Sequence, residues 1–270
     1  MRPWDHIDKA RNLSSVLRFG LDPKDFFPVP NRPDEADGEY GTKFLNELLK
    51  VAEKVTQPSG DLYQNAFQEW EKFVGKRAIT KRLKLRDRMH IGLGATSILA
   101  TNVTLHPLHG LPYIPGSTVK GALRAHMENK VKVLERKNDS EAKDSRNLVT
   151  ELFGSIRANE ETGGALVVHD AWWVPGDGVA PLVREIETPH HGDYYTGNSQ
   201  QATDFDDPNP IAQLAVQGTF LFAIEYQNIG KEWATFCIEE LASSLKEWGI
   251  GGRTFSAGYG IFVEEGVVDY

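Results

Sequence analysis

Two stretches of the chain carry residue types that bind phosphate groups. The first, Pro112–Arg124, places two prolines, a glycine and a serine ahead of an amphipathic helix. The second, Gly249–Gly260, is rich in glycine and contains one arginine, Arg253. Helix N-termini and glycine-rich turns both present backbone N–H groups to anionic oxygens. We therefore expect the fold to bring the two stretches side by side as one cradle for a sugar-phosphate chain.

The first stretch predicts a helix over residues 117–136, because apolar residues recur there at helical spacing. These residues are Val119, Leu123, Met127, Val131 and Leu134. Ser117 or Thr118 is the predicted N-cap, since a hydroxyl can accept a hydrogen bond from the first turn. An ordinary capped helix has the same pattern, so this stretch alone leaves a purely structural role open.

Other motifs suggested by these residues fit poorly. Ser117 and Lys120 match the Ser-x-x-Lys of serine acyl enzymes, but the accompanying Ser-Asp-Asn and Lys-Thr-Gly motifs do not occur. The glycine segment departs from the dinucleotide fingerprint, because a predicted helix over 232–248 precedes it where a strand is required. No Gly-Lys-Ser/Thr of a nucleotide-binding loop occurs either. The glycines could also serve only to cap the helix and turn the chain.

A third stretch, residues 83–93, alternates with the period of a half-buried strand. One face is apolar, interrupted only by Asp87, and the other carries Lys84, Arg86, Arg88 and His90. The chain holds 30 Lys and Arg against 38 Asp and Glu, a net charge of −8. A local basic stripe on an acidic protein favours a defined nucleic-acid track over non-specific coating. A solvated strand face is the alternative.

The order of predicted elements indicates an α+β, ferredoxin-like fold, which is also the fold of RNA-recognition domains. Strands are predicted at 83–93, 164–172, 213–226 and 259–264, with helices at 117–136 and 232–248. Long insertions at about 94–116 and 181–210 interrupt this core, and Val183 and Ile186 suggest a further strand in the second. We assign the core domain to residues 80–270.

Residues 1–79 are predicted to be a helical extension packed on the core. Pro28–Gly41 is an expected linker, because it is rich in Pro, Gly and acidic residues. Two apolar helical stripes follow it, one made of Phe44, Leu45, Leu48, Leu49 and Ala52, the other of Phe67, Trp70 and Val74. With a single cysteine, no secretory signal and no apolar run of membrane length, the chain is expected in the cytoplasm.

Several of these residues together resemble the RAMP superfamily of CRISPR proteins. The resemblance is carried by residues 112–124, by Leu-Phe-Gly at 152–154 and by the glycine segment 249–260. More narrowly, Thr188–Tyr195 with Val168–Trp172 before it resembles the family of sixth subunits of the type III-B (Cmr) effector complex. The resemblance covers roughly residues 83–264, and the N-terminal extension contributes less.

The resemblance implies a non-catalytic structural subunit that needs no cofactor. Such proteins bind CRISPR RNA near its 3′ end and cap the filament of backbone subunits. The implied protein partners are the fourth (backbone), fifth (small) and first subunits, with target RNA as an indirect partner and no membrane. The implied RNA contacts are Ser117, Thr118, Lys120, Arg124, Gly251, Gly252, Arg253 and Thr254, to which the basic strand adds Lys84, Arg86 and Arg88. Tyr194 and Tyr195 are candidates for holding splayed bases.

Two other functions remain open. Some RAMP proteins cleave precursor RNA without metal, using a histidine in acid–base catalysis. The candidates here are His90, His106, His109, His190 and His191. A metal site from His190, His191 and Asp193, or from His106 and His109, is disfavoured, because adjacent histidines on extended chain point apart and Pro107 prevents a helical pair.

Overall fold

The computed structural model describes residues 61–94, 102–157, 160–176, 178–188, 191–203 and 211–264, with the isolated positions 46, 50 and 206. The helices are α1 (Asp61–Gly75), α2 (Gly116–Arg136), α3 (Ala142–Phe153), α4 (Gly192–Tyr195), α5 (Lys231–Glu247) and α6 (Thr254–Ala257). The strands are β1 (Ala78–Leu85), β2 (Tyr113–Ile114), β3 (Gly154–Arg157), β4 (Glu160–Gly163), β5 (Ala171–Trp173), β6 (Leu182–Glu187), β7 (Ile211–Val216), β8 (Thr219–Glu225) and β9 (Phe262–Glu264).

The central sheet has five strands in the order β2-β5-β8-β1-β9. Its neighbouring strands are antiparallel throughout. Apart from the short edge strand β2, the sheet contains β1, β5, β8 and β9, which are the first to fourth core strands along the chain. In the sheet they lie in the order β9-β1-β8-β5, that is fourth, first, third and second. This is the arrangement of the β-α-β-β-α-β fold, so the predicted α+β, ferredoxin-like class is confirmed.

Helices cover both faces of this sheet. Successive side chains of β1 point to opposite faces. The ammonium group of Lys81 is 2.5 Å from Glu239 of α5, whereas the guanidinium of Arg82 is 2.7 Å from Glu71 of α1. α2 packs beside α5, where Glu240 lies 3.1 Å from His126. Accordingly α2 and α5 form one layer, and α1 covers part of the opposite face.

The predicted strand 83–93 is wrong in its bounds. β1 starts earlier, at Ala78, and ends at Leu85, where the chain bends through residues 86–87. The ladder stops because its partner β8 begins only at Thr219, after a turn at Gly218 with φ of +104°. The chain then pairs again at Met89, this time with Val216 of β7. Alternation in the sequence does not show which partner strand is present.

The same turn divides the predicted strand 213–226 into two. β7 pairs with β6 in a separate two-stranded sheet, and β8 belongs to the central one. The strand suggested at Val183 and Ile186 is therefore present as β6. The strand predicted at 164–172 is reduced to β5, preceded by a bridge from Val168 to Ile224. The final strand is shorter than predicted, because residues 259–260 lie in a turn and β9 begins at Phe262.

Both predicted core helices are present within one residue at each end. The sequence reading missed α3 and the β3–β4 hairpin, although α3 has buried apolar residues at helical spacing, Val149, Leu152 and Phe153. The stripe of Phe67 and Val74 lies on α1, with both side chains buried. The stripe that begins at Phe44 and the expected linker 28–41 lie outside the described residues.

A candidate nucleic-acid interface

The end of β1 and the segment 249–260, here called the glycine loop, pack directly against each other. Gly252 N–H donates to the His90 carbonyl at 2.8 Å, and Gly260 N–H donates to the Arg88 carbonyl at 2.7 Å. Arg86 N–H donates in turn to Ile261, the residue after the loop, at 2.9 Å. Two parts of the chain more than a hundred residues apart therefore form one surface.

The glycines of this loop are required by close backbone packing. A Cβ atom at Gly251 would lie 2.4 Å from the His90 carbonyl oxygen, and its φ of +99° disfavours any side chain. A Cβ at Gly260 would lie 1.9 Å from the Ile250 carbonyl oxygen. Because Gly252 N–H is already bonded to His90, this donor is not available to a phosphate without a rearrangement. The loop therefore presents side chains more than backbone amides.

Arg253 occupies a left-handed backbone conformation, with φ of +60° and ψ of 25°. Few residues other than glycine adopt this region, and those that do deserve a functional explanation. Its guanidinium forms an ion pair with Glu187 at the end of β6. Thr254 follows as the first residue of α6 and is half-buried.

Three predicted cations stand at the end of β1, and they differ in their partners. Lys84 and Arg86 are exposed, and neither has a carboxylate partner within the part of the chain that the structure describes. The guanidinium of Arg86 lies against Gly258, 3.9 Å from the position of a Cβ there. Arg88 instead forms an ion pair with Glu185 of β6 at 3.1 Å. We call Lys84, Arg86 and Arg253 the basic edge.

His90 does not belong to the outer face where its alternation placed it. The residue is 1% exposed, because the chain bends after β1 and turns residue 90 inward. Its ring lies 4.6 Å from that of Tyr259, and Nε2 is 3.5 Å from Glu185 Oε2. Burial lowers the pKa of His90, although the nearby Glu185 opposes this effect.

Glu185 connects these groups, and the sequence reading missed it. Tyr259 Oη donates to its Oε1 at 2.6 Å, and the same oxygen forms the ion pair with Arg88. Burial, followed by this hydrogen bond, raises the pKa of Tyr259 to about 12. The signal was present in Arg184-Glu-Ile-Glu187, since period two places Glu185 and Glu187 on one side of a strand. Only the tertiary structure shows that this side meets the arginines.

The helix start, residues 116–124, has a different set of neighbours. The predicted N-cap role of Ser117 or Thr118 is wrong, because α2 begins at Gly116 with Pro115 as its N-cap and neither hydroxyl caps it. Asp170 provides the acceptor instead, through a 2.7 Å bond from Gly116 N–H to Oδ1. This carboxylate already partly neutralises the positive end of the helix. Ser117 and Thr118 are exposed in the first turn.

The two cations of the helix start are engaged within the protein. Lys120 Nζ donates to the Leu166 carbonyl at 2.7 Å, and its pKa is lowered by burial and then by Arg124. Arg124 Nε bonds Glu128 one turn further along α2 at 2.7 Å. Such an exposed pair is weak, so Arg124 can exchange its partner easily.

The helix start and the glycine loop do not form one cradle. No hydrogen bond or ion pair joins the two among the described residues. Gly116 lies beside Asp170, next to β5, whereas the glycine loop lies beyond the end of β1. With β8 between those strands and several residues along them, the separation is on the order of 20 Å. The expectation of a shared cradle is therefore replaced by two patches.

A protein-family model matches about two thirds of the chain. The model of the RAMP superfamily matches residues 82–263. The chain belongs to the RAMP superfamily. The matched range includes the helix start, the basic edge and β6, whereas α1 lies outside it.

Three relatives of this RAMP protein have descriptive names. The CRISPR system Cmr subunit Cmr6 of Pyrococcus furiosus is 25% identical over 263 residues, covering 80% of this chain and 77% of that one. The Cmr6 subunit of Saccharolobus solfataricus is 24% identical, with 94% and 75% covered. The CRISPR system Cms endoribonuclease Csm3 of Streptococcus thermophilus is 25% identical, with 68% and 85% covered.

A solved structure shares the fold. One chain of a cryo-EM structure matches 96% of this chain, and that structure is of the type III-B Cmr-beta bound to cognate target RNA. The match covers 79% of that chain, with a TM-score of 0.57 and 20% identity. At this level of identity, the likeness supports the RAMP fold.

The other predicted residues lie apart from the basic edge. His106 and His109 stack at 4.6 Å, and burial lowers the pKa of both. His191 Nδ1 is 2.8 Å from Asp206, while His190 lies outside the described residues. Tyr194 and Tyr195 are exposed on α4. Within the described ranges, no three His, Cys, Asp or Glu side chains are grouped to hold a metal, and no helix is long and apolar enough to cross a membrane.

Proposed function

We propose that this RAMP protein is a non-catalytic, RNA-binding subunit of a type III-B CRISPR effector complex. Family membership and the two Cmr6 relatives support the assignment to such a complex. One observation carries the RNA-binding role. Backbone hydrogen bonds join the glycine loop to the end of β1, so Arg86, which lies against Gly258, and Arg253 belong to one surface, and Lys84 precedes Arg86 by two residues.

The basic edge suits contacts with phosphates rather than bases. Two of its cations have no carboxylate partner among the described residues, and Arg253 offers the planar fork that binds phosphate through two hydrogen bonds. Such contacts ignore sequence, as the holding of any guide RNA requires. The helix start is proposed as a second RNA contact, which the same RNA strand reaches further along its length. Its residues are Ser117, Thr118, Lys120 and Arg124. Gly251, Gly252, Thr254 and Arg88 shape the first contact.

The remaining parts of the proposal concern place and partners. We assign the protein to the 3′ end of the CRISPR RNA, at the end of the backbone filament, next to the fourth, fifth and first subunits, in the cytoplasm. A net charge of −8 means that the isolated chain repels RNA beyond the basic edge. Neighbouring subunits are therefore expected to complete the groove.

The test compares two triple variants in the assembled complex. Lys84→Gln, Arg86→Gln and Arg253→Gln remove the basic edge. Lys132→Gln, Lys137→Gln and Lys143→Gln remove the same charge from exposed positions on and after α2. Retention of labelled guide RNA is measured against salt. Losing three phosphate contacts lowers the slope of log K against log salt by about 2. Equal slopes for both variants would refute the assignment of the basic edge.

A metal-independent endoribonuclease is the second candidate. The Csm3 relative is named an endoribonuclease. In this chain the Asp206 carboxylate lies 2.8 Å from His191 Nδ1 and orients the imidazole as in acid–base catalysis. His90 is excluded from direct contact with RNA by its burial. The same labelled RNA, incubated with the protein in chelator, is expected to stay intact. Cleavage that disappears in a His191→Ala variant would establish the enzyme instead.

A further inference from the structure

Two carboxylates of β6 meet the arginines of the proposed RNA-binding surface. Glu185 and Glu187 lie two residues apart, so both side chains extend from the same side of the strand. Glu185 pairs with Arg88 and Glu187 pairs with Arg253. The acidic side of the β6–β7 hairpin therefore occupies the positions where phosphates would approach.

The two carboxylates are held very differently. Glu185 has 13% of its side chain exposed, and one of its oxygens accepts a hydrogen bond from Tyr259 and forms the ion pair with Arg88. Glu187 has 40% of its side chain exposed, and among the described residues its ion pair is with Arg253, whose side chain is itself 30% exposed. A partly exposed ion pair stabilises a protein little, whereas a mostly buried carboxylate held by both a hydrogen bond and an ion pair is costly to move. Glu187 can therefore leave its arginine, and Glu185 stays.

The location of the hairpin allows such an exchange. β6 and β7 form a two-stranded sheet of their own, apart from the central sheet. Met89 pairs with Val216 of β7, and Tyr259 bonds Glu185, but Glu187 lies at the last position of β6. A rotamer change at this strand end releases Arg253 without breaking the ladder between β6 and β7.

We propose that Glu187 is an internal competitor of RNA, which holds Arg253 until a phosphodiester chain displaces it, while Glu185 fixes Arg88 as part of the fold. This inference rests on the proposed RNA-binding function. It specifies the ligand as a continuous phosphodiester strand, because a single phosphate gains too little from Arg253 alone to displace a carboxylate. A strand gains contacts with Lys84 and Arg86 at the same time.

The experiment measures binding of a fluorescein-labelled single-stranded RNA of mixed sequence to the full chain by anisotropy. Glu187→Gln keeps the shape of the side chain and removes its charge, so affinity is expected to rise about three- to tenfold. Glu185→Gln is the matched control, with no gain in affinity and a lower midpoint of thermal unfolding. Adenosine monophosphate is expected not to compete with RNA on the wild-type chain.

The outcomes separate the two proposals. If Arg253→Gln weakens binding but Glu187→Gln leaves it unchanged or weaker, Glu187 is not a competitor and only this inference fails. If Arg253→Gln has no effect on RNA binding by the chain or by the assembled complex, the RNA contact at Arg253 and this inference both fail. A gain in Glu187→Gln that persists when Arg253 is also Gln is a general charge effect and counts against competition. Glu187→Ala provides the same comparison should the Gln variant misfold.

Discussion

Glycines at different positions of this protein have opposite effects on stability. Gly251 has φ of +99° and faces the His90 carbonyl oxygen, so the close approach of two backbones depends on it. Gly121 lies on the exposed side of α2, where an added Cβ has no neighbour within 4 Å. Position 251 therefore requires glycine, whereas at position 121 glycine only lowers the stability of the helix through its greater backbone freedom in the unfolded chain.

Gly251→Ala is therefore expected to destabilise the protein by at least about 2 kcal/mol, through backbone strain and a clash. Gly121→Ala is expected to stabilise it by about 0.5–1 kcal/mol, because alanine favours a helix interior. Urea denaturation of both variants measures the free energy of unfolding. The same sign of change in the two variants would contradict the packing described for the glycine loop.

At the level of elements, the N-terminus of α2 depends on a residue from outside the helix. Asp170, just before β5, accepts the hydrogen bond from Gly116 N–H and supplies a negative charge to the helix end. Ser117 would be the usual choice from the sequence, but its hydroxyl makes no cap. The connection between β5 and α2 therefore stabilises both.

Asp170→Ala is expected to lower the free energy of unfolding by about 1 kcal/mol, the typical loss for a removed cap. Ser117→Ala should change it by less than about 0.5 kcal/mol. Asp170→Asn retains an acceptor oxygen and should recover much of the loss. Thermal or chemical unfolding of the three variants checks this order, and a larger loss for Ser117→Ala than for Asp170→Ala would show that the hydroxyl is the cap.

At the level of the whole molecule, α1 closes a sheet face that RNA-recognition domains leave open for bases. Trp70 of α1 stacks on Trp172 of β5, with ring centroids 5.0 Å apart and planes within 3°. Tyr63 Oη also donates to the Trp173 carbonyl at 2.5 Å. While α1 is docked, this part of the sheet is unavailable, so RNA is expected at the edge rather than on the face.

Trp70→Ala is expected to cost about 3 kcal/mol, because it removes the ring that stacks on Trp172 of the sheet. Phe73→Ala is the control on the same helix. The residue is 46% exposed and its ring contacts Arg77, so about 1 kcal/mol is expected. Limited proteolysis near residue 76 should accelerate only in Trp70→Ala. Equal effects of both variants would mean that α1 is held in another way.

Elements that depend on residues close together in the sequence were predicted accurately, whereas elements that depend on distant residues were not. α2 and α5 were predicted within one residue, because amphipathic spacing is a local property of each segment. The strand bounds at 83–93 and 213–226 were not, since the turn at Gly218 ends one ladder and starts another. The basic residues were identified by type, but their partners Glu185 and Glu187 were not. The RNA contacts themselves stay predictions.

The amino-acid pattern by itself determined the order of the elements, the amphipathic helices and the resemblance to the RAMP superfamily, which the helix start and the glycine loop carry. Each of these depends on residue type and on spacing along the chain. Only the tertiary structure decided that the glycine loop lies against the end of β1 instead of beside Ser117, and that β6 brings its carboxylates to Arg88 and Arg253. The reason is that strand pairing joins residues distant in sequence. Nearly every residue has the same backbone donor and acceptor, so these groups do not specify which strand will be the partner.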